Sequence, residues 1–496
     1  MRYFYFFILL AAIPLIARSF SVLEVECETD EIFSTICDHK FTTVSCKLAD
    51  IHVLHNYKKN GTHKFHQQEI LITNLDEENY TSIIFENIVS PVFPAEIFQQ
   101  IPQLGKVMTS FQGHNKIEVI PDFTFSNATN LKTLALHFLE LHDITENAFY
   151  GATALRLLAL VGCELEKIHR NAFKSLKNLR YLTLGHNSLE EIPRELFEPL
   201  TELKNLYLND NQLKSLHELT FIQNTNLNFI EMPNNLLENI TLQLPDKIKN
   251  LNFEGNRLKN LRLTGNNVKL ETLLLERNQI ENFQIPSFIE LKRLNLKNNK
   301  IKSLDFLTSC SHLKSLQIDS NPITDLTNLR NCQKLTELTL ESMKGIKITQ
   351  DTFSSLTNLK FLSLRNTKLN TVDVSWFKSL QNLYGLMLSG MDLKELDYEE
   401  LAKLPSLRRI SITDNNFNCS YTTEMLKFLN TTQIQFYELF GEICREDLPS
   451  KRIGMFWKFL MFVGFFTMIA GVLAFVVKKY QLSRFISYRS STNINN

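Results

Sequence analysis

The sequence predicts an α/β solenoid, a horseshoe of stacked coils with a parallel β-sheet on its concave face, capped at both ends and followed by one C-terminal transmembrane helix. Two observations predict this fold: a motif that recurs in phase through most of the 496 residues, and an apolar run near each end. Basic and acidic residues both number 53, so the net charge of zero does not favour nucleic-acid binding.

The N-terminal end has the pattern of a secretory signal peptide over residues 1–19. Arg2 precedes an apolar stretch from Tyr3 to Ile16, and small residues follow at Ala17 and Ser19. This stretch is too short to span a bilayer. We therefore expect the chain that follows to lie outside the cell.

The second apolar run predicts one transmembrane helix over residues 453–477. The 24 residues from Gly454 to Val477 contain a single charged side chain, that of Lys458. A helix of this length exceeds the hydrocarbon thickness of about 30 Å. Residues 478–496 would then form a cytoplasmic tail, which is too short to fold as a signalling domain. We expect a single-pass type I protein of the plasma membrane.

Between the ends, the motif LxxLxLxxNxL recurs in phase. Its copies begin 21 to 24 residues apart, at Leu131, Leu155, Leu179, Leu203, Leu227, Ile248, Leu270, Leu291, Leu313, Leu335, Leu359, Leu383 and Leu407. Degenerate copies begin near Tyr80 and Leu104, which gives about 15 coils over residues 80–417. Apolar residues at the first, fourth and sixth positions point inward from a short strand, and neighbouring strands pair in parallel.

Two further columns of the repeat predict core structure. Asparagine fills the ninth position in seven consecutive coils: Asn187, Asn211, Asn235, Asn256, Asn278, Asn299 and Asn321. Each amide can bond backbone groups that have no other partner at the bend after the strand. Longer coils carry an aromatic residue in their second half: Phe98, Phe125, Phe149, Phe173, Phe197, Phe221, Phe353 and Phe377. We expect these rings to stack as a spine.

The motif and its spacing resemble the extracellular leucine-rich repeat family over about Tyr80 to Cys444. The 24-residue coils and the Asn-Phe-Asn-Cys segment ending at Cys419 are similar to Toll-receptor ectodomains and to insect leucine-rich immune and adhesion proteins. The resemblance implies a disulfide-tied cap over residues 20–79 and another over residues 418–452, the second with a juxtamembrane stalk. We expect a departure from the Toll pattern, because the predicted tail over residues 478–496 is too short for an intracellular TIR domain.

This resemblance assigns five cysteines to the caps. Cys419 and Cys444 bracket the segment after the last coil and are expected to pair with each other. Cys27, Cys37 and Cys46 precede the first coil. Three pairings are open among them, of which Cys27 with Cys46 is preferred.

The other three cysteines lie within the repeats. Cys163 stands at the ninth position, where the family accepts Cys in place of Asn, so we expect a buried free thiol. Cys310 and Cys332 occupy equivalent places on adjacent coils, within disulfide reach. A disulfide and a stacked pair of thiols are both open. No metal site is expected, because no His or further Cys shares their phase.

The remaining motifs indicate a glycoprotein without enzymatic chemistry. Asn-x-Ser/Thr acceptors occur at Asn60, Asn79, Asn127, Asn239, Asn418 and Asn430, all on the side expected to be extracellular. No hydrolase, metalloprotease, P-loop or dinucleotide-binding motif is present in the sequence. We expect no catalytic residue, no cofactor and no nucleic-acid partner.

Residues between the inward leucines are expected to face water on the concave sheet. In the N-terminal half they form an apolar and aromatic set typical of interfaces: His137, Phe138, Leu157, Val161, Tyr181, Tyr207 and Phe229. Further along, this face turns charged, with Glu254, Glu271, Glu276, Arg277, Lys292, Arg293 and Lys297. We hypothesise that the apolar set binds the ligand.

Two functions fit these expectations. The first is a cell-surface recognition receptor or co-receptor that binds a protein or microbial ligand on the concave face, with the resemblance implying innate immunity. The second is an adhesion protein that makes homophilic or heterophilic contacts between cells. Either function is compatible with a homodimer or heterodimer in the membrane.

Overall fold

The computed structural model describes residues 63–65, 68–74, 81–85, 89–109, 115–265, 269–284 and 291–437. They belong to two compact units, the first ending at Tyr207 and the second beginning at Leu208. Among these described residues no helix is long and apolar enough to cross a bilayer. The signal peptide, the transmembrane helix at 453–477 and the tail lie outside the described residues, so they stay predictions.

The first unit is built on a parallel β-sheet that takes one strand from each coil. Its elements are β1 (His63–Phe65), β2 (Gln68–Asn74), β3 (Thr81–Phe85), β4 (Val89–Val92), α1 (Ile97–Gln100), β5 (Leu104–Thr109), β6 (Lys116–Val119), β7 (Thr133–His137), β8 (Asp143–Ile144), β9 (Leu157–Val161), β10 (Lys167–Ile168), β11 (Tyr181–Thr183) and β12 (Asn205–Tyr207). Strands β3, β5, β7, β9, β11 and β12 pair in parallel in that order. The antiparallel strands β1 and β2 extend the sheet beyond β3.

The second unit repeats this plan. Its elements are β13 (Phe229–Glu231), β14 (Asn239–Gln243), β15 (Asn250–Asn252), β16 (Asn260–Thr264), β17 (Thr272–Leu274), β18 (Arg293–Asn295), β19 (Ser315–Gln317), β20 (Glu337–Thr339), β21 (Phe361–Ser363), β22 (Gly385–Met387), α2 (Tyr398–Leu401), β23 (Arg409–Ser411), α3 (Cys419–Thr431) and β24 (Gln435–Tyr437), with 3-10 helices at Asp305–Ser309, Thr327–Asn331 and Val374–Phe377. Strands β13, β15 and β17 to β24 form its parallel sheet. Strands β14 and β16 make a separate parallel pair.

The core follows the columns of the repeat. The first, fourth and sixth positions of every coil from Leu131 to Leu407 are buried, at no more than 4% exposure. The predicted phenylalanine spine is confirmed, because all eight rings are fully buried. Ring centroids lie 5.3 Å apart for Phe98 and Phe125, and 6.4 Å apart for Phe353 and Phe377. Burying one such side chain stabilises the fold by about 1.5 to 3 kcal/mol.

The asparagine ladder is also confirmed. The Oδ1 of Asn278 accepts from the Leu258 N–H of the preceding coil at 2.9 Å. Its Nδ2 donates to the Phe253 carbonyl of that coil at 2.9 Å and to the Leu275 carbonyl of its own coil at 3.0 Å. Asn235, Asn256, Asn299 and Asn321 repeat this pattern. The ladder thereby pairs backbone groups that the bend removes from the sheet.

The eighth position carries a conformational signature that the motif does not specify. In all thirteen coils this residue has a left-handed backbone, with φ between 53° and 68°. The residues are Phe138, Gly162, His186, Asp210, Asn234, Gly255, Arg277, Asn298, Ser320, Ser342, Asn366, Gly390 and Asp414. At Gly390 a Cβ would overlap the Oδ1 of Asn366, the eighth residue of the preceding coil. Glycine there removes both the left-handed strain and this overlap.

The cysteines within the repeats are resolved by the structure. Cys310 and Cys332 form a disulfide, with their Cα atoms 5.0 Å apart, which decides between the two alternatives. Cys163 is a buried free thiol, as expected. Its Sγ donates to the Leu136 carbonyl at 3.3 Å and so replaces one bond of a ladder asparagine. Cys27, Cys37, Cys46 and Cys444 lie outside the described residues, so both cap pairings stay predictions.

Candidate functional site

The candidate site lies on the face of the sheet opposite to the inward leucines. Because side chains alternate along a strand, the third, fifth and seventh positions of each coil share this face. In the first unit, Leu157 is in register with Thr133 and with Tyr181, and Thr183 is in register with Tyr207. Side chains from successive coils therefore stand side by side.

An apolar cluster occupies this face of the first unit. Ala135, Leu157 and Ala159 are buried, and Met108, Val161 and Tyr181 pack against them. Met108 was not among the predicted residues, because the coil that begins at Leu104 departs from the motif. Met108 stands at the fifth position of that coil, and this position would have identified it as a residue of the same face.

Two predicted contact residues do not face water as expected. Leu157 is 2% exposed and His137 is 7% exposed. Leu157 is buried in one cluster with Ala135 and Ala159, against which Met108, Val161 and Tyr181 pack. Burial also lowers the pKa of His137 to about 4, so this imidazole is neutral at physiological pH. These two residues form the support of the apolar face rather than its accessible surface.

The accessible part of the predicted set consists of Phe138, Val161, Tyr181 and Tyr207. Phe138 is 48% exposed, and its ring lies over Gly162. Val161, Tyr181 and Tyr207 are half-buried. The Tyr207 hydroxyl accepts from the Asn205 Nδ2 at 3.2 Å, which fixes the ring along the strand. The set combines apolar area with polar tips, a composition enriched in protein interfaces.

Phe229, the remaining predicted residue, lies in the second unit. It is half-buried at the start of β13 and shares that strand with Glu231. Burial and, to a smaller extent, the nearby negative charge of Glu254 together raise the pKa of Glu231 to about 7, against a hydrogen bond from Asn252 that lowers it. The carboxyl group of Glu231 thus changes charge near neutral pH.

The charged part of the same face in the second unit is largely compensated within the protein. The Glu254 carboxylate accepts from the Arg277 Nη2 at 3.1 Å. Lys297 pairs with Asp319 at 3.0 Å, and the Thr339 hydroxyl donates to the same carboxylate at 2.8 Å. Charges that satisfy one another in this way offer less to a ligand than unpaired ones.

The structure places four predicted glycan acceptors. Asn127, Asn239, Asn418 and Asn430 are exposed and lie outside the third, fifth and seventh positions of the coils. Asn418 also caps α3, because its Oδ1 accepts from the Tyr421 N–H at 2.8 Å. Asn60 and Asn79 lie outside the described residues. Glycosylation stays a prediction at all six.

In the part of the chain that the structure describes, no three His, Cys, Asp or Glu side chains come close enough to hold a metal ion together.

Comparisons with known proteins support the fold. The leucine-rich repeat family model matches residues 113–165, 158–213 and 357–417, and a two-copy leucine-rich repeat model matches residues 289–331. No curated protein sequence matches the chain significantly.

Several solved structures share the solenoid. A chain of the Toll–Spatzle complex of Drosophila matches with a TM-score of 0.58 and 20% identity, over 74% of this protein and 60% of that chain. A leucine-rich repeat protein of Leptospira interrogans matches with a TM-score of 0.53 and 24% identity, over 73% of this protein and 90% of that chain. A chain of the LRIM1/APL1C complex matches with a TM-score of 0.54 and 16% identity, over 85% of this protein and 79% of that chain. This protein thus spans about three fifths of the matched chain of the Toll complex. Leucine-rich repeats thus occupy the matched residues of this protein, and its parallel solenoid is similar in fold to Toll ectodomains.

Proposed function

We propose that this protein is a cell-surface recognition receptor or co-receptor that binds a protein ligand on the concave face of its first unit. The observation that supports the proposal is the buried cluster of Ala135, Leu157 and Ala159, against which Tyr181 packs. Tyr207 is half-buried in the next coil, and Phe138 is exposed. Fixed aromatic side chains over a packed base are the usual anchors of an interface. A molecule of a microbial surface that binds the same face would also be a ligand under this proposal.

The proposed setting is extracellular. The signal peptide, the six glycan acceptors and the apolar run at 453–477 support a glycosylated type I protein of the plasma membrane. The similarity to a chain of the Toll–Spatzle complex supports a role in recognition, because in that complex a chain with this fold is bound to a protein. Protease treatment of intact cells that express the full chain should remove its ectodomain. Protection of the whole chain from the protease would contradict this location.

The binding experiment compares two variants of the full chain. The site variant combines Tyr181→Ala with Tyr207→Ala, and the control is Tyr150→Ala, which removes an aromatic ring that is 53% exposed outside the concave positions of the same unit. Cells that display each variant are exposed to a panel of tagged extracellular proteins and fixed bacteria. A ligand of the concave face should lose at least about tenfold in affinity with the site variant and less than about twofold with the control. Equal binding to the site variant and the unmodified chain, at equal surface level, would refute the site.

A second candidate function is adhesion between cells. It is favoured by an exposed aromatic pair, Phe123 and Tyr150, whose ring centroids lie 5.3 Å apart with an angle of 75° between the ring planes. Both residues are 53% exposed, and Val92 and Val119 add exposed apolar side chains on the paired strands β4 and β6. For this function the two variants exchange roles: Tyr150→Ala should reduce aggregation of expressing cells, and the double tyrosine variant should not. Absence of aggregation with the unmodified chain would exclude adhesion between identical copies.

A further inference from the structure

An exposed pair of aromatic rings lies beside one of the predicted glycan acceptors. Phe123 and Tyr150 are both exposed, and their ring centroids lie 5.3 Å apart. Asn127 is exposed four residues after Phe123 and begins the acceptor sequence Asn-Ala-Thr. Exposed rings in contact with each other form an apolar patch that a ligand or a modification can cover. We refer to Phe123 and Tyr150 as the ring pair.

Backbone contacts hold the acceptor and the first ring in one turn. The Ser126 N–H donates to the Phe123 carbonyl at 3.1 Å, and the Ser126 hydroxyl donates to the same oxygen at 2.7 Å. The Ala128 N–H donates to the Phe125 carbonyl at 2.9 Å. These bonds close the chain from Phe123 to Ala128 into a compact turn. The backbone of Asn127 is therefore held close to that of Phe123.

The second ring comes from the next coil and lies beside the same turn. Asn127 and Gly151 each stand four residues before the leucine that begins a copy of the motif, so they occupy equivalent places on adjacent coils. Gly151 has a φ of 94°, and a Cβ there would lie 2.6 Å from the Cα of Ser126 and 2.9 Å from its carbonyl oxygen. The two turns therefore touch at this point. Tyr150, which precedes Gly151, is held next to the turn that carries Asn127.

The sugar that an acceptor asparagine receives matches these surroundings. N-glycosylation joins the amide nitrogen of asparagine to N-acetylglucosamine, whose pyranose ring presents C–H groups on its faces. Aromatic rings carry negative charge on their faces and attract such C–H groups, as they attract the positive edge of another ring. Gly151 contributes no side chain that would compete with the sugar for the space beside Asn127.

We infer that the first sugar of a glycan on Asn127 stacks on the ring pair and covers it. The inference rests on the proposed extracellular setting, because an acceptor sequence is modified in secreted chains. It does not rest on the proposed ligand site around Leu157. It gives the ring pair a different occupant from the adhesion candidate, for which a second copy of the chain would cover the same rings.

Asn239 provides a matched acceptor in the second unit. It is exposed at the start of β14, and its Oδ1 accepts from the Asn260 Nδ2 at 2.8 Å. None of the exposed aromatic rings of the described residues belongs to its coil or to the next coil, which supplies β16. A glycan on Asn239 therefore has no such ring from these two coils to stack on.

The test measures how fast peptide-N-glycosidase F releases each glycan from the folded full chain, which is purified from cultured animal cells. Mass spectrometry of the glycopeptides follows the release. We expect release at Asn127 to be at least about fivefold slower than at Asn239, which is the shift in population that one aromatic contact produces. The ring-pair variant combines Phe123→Asn with Tyr150→Ala and should bring the two rates within about twofold. Asparagine tolerates the left-handed backbone of Phe123, whose φ is 63°.

Two further arms separate stacking from other causes. The release rate at Asn239 should be the same in the ring-pair variant as in the unmodified chain, which shows that the variant remains folded. Asn127→Gln should lower the melting temperature by about 2 °C in the unmodified chain and by less than about 1 °C in the ring-pair variant, because no ring is left there for the sugar to cover.

The possible results distinguish this inference from the proposals before it. Equal release rates in the folded chain, or an unchanged rate at Asn127 in the ring-pair variant, would overturn the inference. Sugar on Asn239 with none on Asn127 would overturn it and retain the extracellular setting, whereas sugar on neither would contradict both. Cell aggregation that increases with Asn127→Gln and disappears in the ring-pair variant would assign the ring pair to a second copy of the chain instead.

Discussion

Replacing one ladder asparagine should destabilise the solenoid far more than replacing an exposed neighbour. In Asn278→Ala, the Leu258 N–H loses its acceptor, and the carbonyls of Phe253 and Leu275 each lose a donor. Asn278 is 8% exposed, so water does not replace these bonds readily. A buried backbone group without a partner costs about 1 to 3 kcal/mol, and each further bond contributes about 0.5 to 1.5 kcal/mol. The expected loss in free energy of unfolding is about 2 to 6 kcal/mol.

Two additional substitutions sharpen this prediction. Asn278→Cys should lose less than Asn278→Ala, because Cys163 fills the same position in another coil and its Sγ donates to a carbonyl of the preceding coil. Lys300→Ala, at an exposed side chain of the second unit, should change stability by no more than about 0.5 kcal/mol.

The assay combines guanidinium unfolding of the full chain with hydrogen exchange followed by mass spectrometry. A repeat protein can unfold in segments, so the exchange rate of the peptide that contains Leu258 gives the local effect directly. Faster exchange there, with unchanged rates in the first unit, is the expected pattern. The reasoning would be refuted if Asn278→Ala behaved like Lys300→Ala in both measurements.

Three other predictions follow from groups described above. The pKa of Glu231 is raised to about 7 in the folded state, so folding favours its protonated form and the free energy of unfolding should fall as the pH rises from about 4.5 to 7. Glu231→Gln should remove this fall and add up to about 3 kcal/mol to the free energy of unfolding at pH 8. Denaturant unfolding at a series of pH values measures both effects. Burial raises the pKa of the Cys163 thiol to about 12, so peptide mapping after iodoacetamide treatment at pH 8 should find Cys163 unmodified in the folded chain and alkylated in guanidinium; alkylation in the folded chain would contradict its burial. Gly390→Ala should lower the melting temperature, because the left-handed backbone alone costs about 1 to 2 kcal/mol and the overlap with Asn366 adds to this cost. Adding Asn366→Gly should restore only the part that comes from the overlap; full restoration would show that the backbone strain is negligible.

The repeat made most of the fold predictable. A column of the motif has the same surroundings in every coil, so the period alone places the inward leucines, the ladder and the phenylalanine spine. Asn415 nevertheless was not included in the predicted ladder, although it makes the same hydrogen bonds. It stands at the ninth position after Leu407, and its Oδ1 accepts from the Met391 and Leu393 N–H groups. The three coils before it carry Met343, Thr367 and Met391 in this column, and that interruption concealed the return of the pattern.

The candidate site was less predictable because it depends on pairs of neighbours across coils. Alternation along the strand places Leu157 on the face opposite to the inward leucines, but its burial depends on the cluster that neighbouring coils form around it. The spacing of Cys310 and Cys332 sets the distance between their backbones, whereas the orientation of the sulfur atoms comes from three-dimensional structure. Charge compensation on the second unit's face likewise depends on which side chains reach each other.

The asparagine ladder gives the solenoid a polarity when it unravels. Every complete rung is supplied by the later coil and satisfies the bend of the earlier one, as Asn299 does for Ile280 and Asn321 does for Ile301. Peeling from the C-terminal side therefore deprives each newly terminal coil of the amide that closed its bend. Peeling from the N-terminal side leaves that bend closed and frees only a carboxamide, which water can solvate. Fraying should thus advance more easily from the N-terminal end, because loss of the first coil leaves no backbone group at the bends of the remaining solenoid without its ladder partner.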